Sequence, residues 1–142
     1  MISLSHSRAT GFCAIAPAGV EVGCDLETVE PRSPAFLVDY FTDEEQLLVA
    51  RVPAATRNHV LTLLWSAKES ALKALRCGLR SDTLSVNAAP ADFLRTRGEG
   101  WHRMSVAHIT GATFHGWWRG SRDLVWTVVA GPPPLRLVAL QL

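Results

Sequence analysis

Apolar positions recur at helical spacing through the middle of the chain. In residues 61–79, LTLLWSAKESALKALRCGL, the side chains of Leu61, Leu64, Trp65, Leu72 and Leu75 fall on one face at 3.6 residues per turn. The pattern predicts an amphipathic helix on a core, starting near Thr56 after Pro53, with Gly78 as its C-terminal stop. Two shorter helices precede it. Ser33 before Pro34 opens one that runs to about Tyr40. Thr42 and Glu45 form a capping box that opens another, to about Ala50. Elsewhere the pattern is that of strands. Residues 2–7 alternate, and residues 11–16 and 20–26 are β-prone runs separated by Pro17-Ala18-Gly19, which reads as a hairpin. Further strands are predicted over 83–86, 104–109, 113–118 and 124–130, the last two joined by a turn at 119–123. Pro132 to Pro134 end that sheet, and residues 135–142 form a last apolar strand or tail. The elements add up to an α+β fold: an antiparallel sheet packed with a long central helix and shorter helices.

A length of 142 residues with 48% apolar content suits one domain spanning residues 1–142 around a single core. No run is long enough to cross a bilayer, and the N-terminus lacks the basic and apolar blocks of a signal peptide, so the expected location is cytoplasmic. Cys13, Cys24 and Cys77 have no metal-type spacing and read as small buried hydrophobes. The histidines also lack metal-like spacing. Trp117, Trp118 and Trp126 read as core or interface filler rather than a binding box.

Charge changes the picture. Residues 1–45 hold 8 acids against Arg8 and Arg32, whereas residues 46–142 hold 5 acids against 12 bases. This is either ordinary surface variation or a cation site followed by an anion-binding surface. The bases are dispersed and not interleaved with aromatics, which argues against nucleic acid.

The central helix carries unusual charges. Lys68 lies within the apolar stripe, where an unpaired charge is costly. Glu69 and Lys73 stand one turn apart, which by itself describes a helix salt bridge worth a few tenths of a kcal/mol. Yet Lys68 and Lys73 are the only lysines among 14 basic residues. Lysine is a compact charge suited to phosphate and to proton transfer, so the helix is a candidate site. Asp25 and Glu27 share one face of a strand. They form either a solvated face or, as oxygen ligands only, a pair suited to Mg²⁺.

In order, Ser5-His6-Ser7, GCDLE (23–27), YFTDEE (40–45) and WSAKESALKA (65–74) followed by Gly78-Leu79 resemble the 4′-phosphopantetheinyl transferases. These enzymes move the phosphopantetheine arm of coenzyme A onto a serine of an acyl or peptidyl carrier protein. The wording is similar to the C-terminal half of the two-half, surfactin-type members, which are related to the short holo-acyl-carrier-protein synthases. The resemblance implies a single transferase-like domain in which Asp25, Glu27 and Glu69 hold Mg²⁺. It also implies that Lys68 and Lys73 bind phosphate, and that Ser5 and His6 form a turn touching coenzyme A. Glu69 and Lys73 are then the catalytic pair. Glu45 aligns with an acid of the family, so its capping role and a site role both stand. No front half accompanies these motifs, so the site is expected to lie at the boundary of a homo-oligomer, a dimer before a trimer. The competing implication is a non-catalytic, half-size relative that binds a carrier protein or coenzyme A, or a subunit completed by another chain.

Overall fold

The computed structural model describes residues 1–77, 82–94, 99–132 and 136–140. Strands β1 (Ile2–Ser7), β2 (Thr10–Ile15) and β3 (Glu21–Thr28) come first, then helices α1 (Pro34–Tyr40), α2 (Asp43–Arg51) and α3 (Ala54–Ala74). A 3-10 turn at Thr83–Ser85 leads into β4 (Val86–Ala88) and α4 (Ala91–Leu94). Strands β5 (His102–His108), β6 (Thr113–Gly120) and β7 (Leu124–Gly131) complete the order. Five strands form an antiparallel sheet in the order β3-β7-β6-β5-β4, and β1 and β2 form a separate ribbon. The fold is α+β, as the alternation of patterns implies.

The helix signals act as read. Ser33 Oγ accepts the Phe36 N–H, with Pro34 at the first helical position. Thr42 and Glu45 close a reciprocal capping box at the start of α2. Helix α3 is longer and more deeply buried than an amphipathic surface helix. Twelve of its 21 residues are buried, because the sheet covers one side and α2 with the β4 edge covers another. Ser66 and Ser70, which interrupt its apolar pattern, share hydrogen bonds with the buried Thr127 hydroxyl of β7. The helix ends before the predicted stop. Arg76 takes the left-handed conformation (φ 56°), its N–H reaching Lys73 O and the Cys77 N–H reaching Leu72 O. This is the paired bonding that a glycine usually supplies. Gly78 itself lies outside the described residues.

Several sequence expectations are corrected. The runs around Pro17-Ala18-Gly19 do not pair as a hairpin; β2 pairs with β1 through a turn at Arg8 (φ 54°), and β3 pairs with β7. Residues 83–86 are mostly a 3-10 turn, and the short helix α4 has no counterpart in the sequence reading. Of the expected final strand, residues 136–140 have no regular structure, and 135, 141 and 142 lie outside the described residues, as do Pro133 and Pro134. Cys13 is exposed, whereas Cys24 is buried.

Two contacts seat β3. Its outer edge has no backbone partner strand among the described residues. Instead Ser3 Oγ and Ser5 Oγ accept the N–H groups of Cys24 (2.9 Å) and Leu26 (3.2 Å), and Ser7 Oγ bonds Thr28 Oγ1 (2.8 Å). The alternate serines of β1 therefore act as a side-chain rail for a strand edge that must be satisfied. On the inner side, Gly23 lets the backbones of β3 and α3 meet. A Cβ there would lie 1.9 Å from Ser70 O and 2.6 Å from Ala74 N, and neither backbone atom can rotate away. Gly23→Ala is therefore expected to cost about 3 kcal/mol through overpacking, read as a lower urea midpoint. A loss below about 1 kcal/mol would mean that the two elements separate easily.

Candidate functional site

The close approach at Gly23 brings the next inward positions of β3, Asp25 and Glu27, against the C-terminal half of α3. Asp25 is 3% exposed. Its Oδ1 accepts hydrogen bonds from Lys73 Nζ (2.7 Å) and Ser5 Oγ (3.0 Å). Its Oδ2 is buried with no hydrogen-bond partner among the described residues. Lys73 Nζ also donates to Cys24 O (3.1 Å), and its side chain is 30% exposed. An ammonium has three N–H donors, so one remains to face an incoming anion. Glu27 Oε1 accepts from Trp65 Nε1 (3.2 Å), and its Oε2 lies 3.7 Å from Arg32 Nη2.

Glu69 is half-buried on the same side of α3. Burial pushes its carboxyl above the usual range, and the charge of Asp25 adds to this while Lys73 opposes it. Burial likewise raises Glu27. The Asp25 charge contributes next, and Glu69 also pushes upward, against Arg32 and Trp65. The three carboxylates therefore feel one another. A buried oxygen without a partner, beside two carboxyls resisting ionisation, is the chemistry that a hard cation relieves. Among the described residues, however, no three acidic, histidine or cysteine side chains stand close enough to form a ready-made metal cage.

Of the lysine pair, only Lys73 stands in this cluster. Lys68 is fully buried, and its Nζ donates to Glu45 Oε2 (2.6 Å) and to Val86 O (2.8 Å). Glu45 is fully buried as well. Its Oε2 also accepts the Thr42 N–H and its Oε1 accepts the Ala88 N–H. Lys68 thus stands apart from the Asp25 cluster, its ammonium without exposed surface and its partners protein groups. Glu45 is a cap and an ion-pair partner at once. Ser5 supports Asp25 from below, within a strand rather than a turn. His6, its neighbour in β1, points the other way and is exposed.

A family model for the 4′-phosphopantetheinyl transferase superfamily matches residues 21–129. The chain belongs to this superfamily. The match covers β3 through most of β7, and hence every inward-facing residue of the cluster. No curated protein matches the chain. Membership implies a phosphopantetheinyl transferase that takes coenzyme A as substrate and a carrier protein as acceptor. No helix among the described residues is long and apolar enough to cross a membrane.

Sequence reasoning missed two contributors. Trp65 belongs to the apolar stripe by spacing, but its indole N–H needs a partner when buried and finds Glu27. Arg32, in the segment between β3 and α1, carried no periodic signal. It lies 3.2 Å from Glu30 and 5.0 Å above the Phe36 ring.

The raised carboxyl of Glu69 has a measurable consequence. The folded state holds this proton more tightly than the unfolded chain, so ionisation costs stability as pH rises above the ordinary value of 4.5. With chelator present, Glu69→Gln is expected to melt a few degrees above the parent at pH 7. The gap should close on acidification below 4.5, where the parent carboxyl is neutral in both states. A variant that melts lower at pH 7 would mean that the attraction to Lys73 outweighs burial and the repulsion of Asp25.

Proposed function

We propose that the chain carries out Mg²⁺-dependent transfer of 4′-phosphopantetheine from coenzyme A to a serine of an acyl or peptidyl carrier protein, releasing 3′,5′-ADP. The observation that carries this reading is the Asp25 carboxylate, with one oxygen held by Lys73 and Ser5 and the other buried and unpartnered, inside a match to the transferase superfamily.

Asp25, Glu27 and Glu69 would hold the cation, whose charge, when bound, neutralises and polarises the pyrophosphate of coenzyme A. Phosphoryl transfer asks the protein mainly for positioning and charge. Trp65 and Ser5 keep Glu27 and Asp25 in place. Glu69 takes the proton of the carrier serine, directly or through water. The serine oxygen attacks the β-phosphorus and the bond to the 3′,5′-ADP oxygen breaks. Lys73, through its remaining N–H, stabilises the charge left on that oxygen. The acyl or peptidyl identity of the carrier and a holo-acyl-carrier-protein synthase type of activity belong to this proposal, as does a cytoplasmic setting for residues 1–142 as one unit.

Association with a second copy is part of the same reading. On the outer face of the β1–β2 ribbon, Ile2, Leu4 and Ile15 are 64%, 64% and 62% exposed, and Ile2 and Ile15 are cross-strand partners. Clustered apolar exposure of this kind usually marks an interface. His6 sits on the same face of β1, so a homodimer, before a trimer, would bring coenzyme A to the boundary with His6 beside it. Light scattering at micromolar concentration is expected to give twice the chain mass. A monomer that still binds coenzyme A tightly would reject the shared site.

The decisive assay mixes the protein with an apo-carrier protein, coenzyme A and Mg²⁺ and reads the carrier's mass. A gain of one phosphopantetheine is expected. Asp25→Ala should abolish it while leaving the fold nearly intact, and Lys73→Arg, which keeps charge but changes its shape and its proton chemistry, should slow it about a hundredfold. Transfer by Asp25→Ala at the parent rate with Mg²⁺ limiting would overturn the assignment.

A further inference from the structure

We infer that Arg32 is a built-in counter-ion that occupies Glu27 in the cation-free protein and must be displaced before Glu27 can bind a divalent cation. The inference rests on the proposed Mg²⁺ reading and extends it to a residue outside the acidic cluster.

The cluster is unevenly satisfied. Asp25 has Lys73 on one oxygen, and Glu69 has no hydrogen bond or ion pair among the described residues. Glu27 has both oxygens engaged, Oε1 by the Trp65 indole and Oε2 by the Arg32 guanidinium. Of the three, only Glu27 must surrender a cationic partner to turn an oxygen toward a metal ion. The guanidinium is positioned for a transient hold. Its distance to Glu27 is 3.7 Å, longer than a hydrogen bond, while Glu30 holds it at 3.2 Å and the Phe36 ring lies 5.0 Å beneath it. When Glu27 leaves, Glu30 and Phe36 keep Arg32 in place, so release costs one loose contact rather than the whole seat. Both side chains are about a quarter exposed, so the exchange needs no opening of the core. The geometry thus screens the repulsion between Glu27 and Asp25 until a cation of higher charge arrives, and it sets a competition between guanidinium and metal for one carboxylate oxygen.

Calorimetric titration with Mg²⁺ alone, without coenzyme A or carrier, tests the competition. Arg32→Gln is expected to bind Mg²⁺ about two- to fivefold more tightly than the parent, the range that a partly exposed ion pair contributes. In a Glu27→Gln background the same substitution should change the affinity by less than about twofold, because the carboxylate in dispute is gone. Arg32→Lys, which keeps a charge but loses the planar fork, should fall between the parent and Arg32→Gln, and it serves if Arg32→Gln fails to fold. An unchanged or weaker affinity in Arg32→Gln would overturn the inference while leaving the Mg²⁺ site standing. A gain that persists without Glu27 would overturn it too, since a long-range field would then be the cause. If the parent binds no Mg²⁺ at all, the metal reading falls and this inference falls with it.

Discussion

The pairing of Lys68 with Glu45 sets terms for the rest of the molecule. Two opposite charges with no exposed surface are expensive to bury, and such a pair is tolerated only when every remaining polar atom is occupied. Here each of the three charged-group atoms has a hydrogen-bond partner, and the centre of the Phe41 ring lies 5.4 Å from the lysine nitrogen. The lysine ammonium has a carboxylate and a carbonyl, and the carboxylate has two backbone N–H groups besides. Satisfying those atoms ties the start of α2, the middle of α3 and strand β4 to one point. Replacement by apolar residues could leave stability unchanged, so the pair is best understood through the arrangement it selects. With Lys68 turned toward Glu45, Glu69 and Lys73 turn toward β3. Helix α3 has no freedom to rotate about its axis without stranding a buried charge.

That rotation explains where the sequence could and could not be read. Local signals were legible because their physics is local. The capping box at Thr42 and the Ser33-Pro34 start depend on atoms within four residues, and both form as expected. Strand existence was legible and pairing was not. Pro17-Ala18-Gly19 does make a turn, Val20 N–H bonding Pro17 O at 3.2 Å, but which strand lies beside β3 is decided by β7, a hundred residues away in sequence. The alternation of residues 2–7 marks β1 as a strand, but it does not say that Ser3, Ser5 and Ser7 dock on the edge of β3 through their side chains.

The lysines are more instructive. At about 100° per residue, five positions place Lys68 and Lys73 about 140° apart on a helix. That angle argues against a shared phosphate from spacing alone. Composition, which set both lysines apart from twelve arginines, could not tell which of the two faced the core. The partner of Lys68 was also in plain view: Glu45 is the acid of the capping box, and its helical start leaves the carboxylate directed back toward the chain it caps. Arg32 had no comparable cue, since its role depends on the turn that carries the chain from β3 into α1.

The same geometry accounts for the contrast between two lysines on one helix. Lys68 spends its charge entirely within the fold, where burial pulls its proton affinity below the ordinary lysine value and Glu45 opposes that pull. Lys73 spends two of its three donors on β3 and keeps the third at the surface. Both are anchored, but only Lys73 keeps part of its side chain exposed. Asp25 repeats this division within a single carboxylate, with Oδ1 committed to the scaffold and Oδ2 left over. A site of this kind is rigid because half of each group is structural. The other half is left for what the proposed reaction would bring to it, and the close approach at Gly23 holds β3 and α3 near enough for both halves to belong to one site.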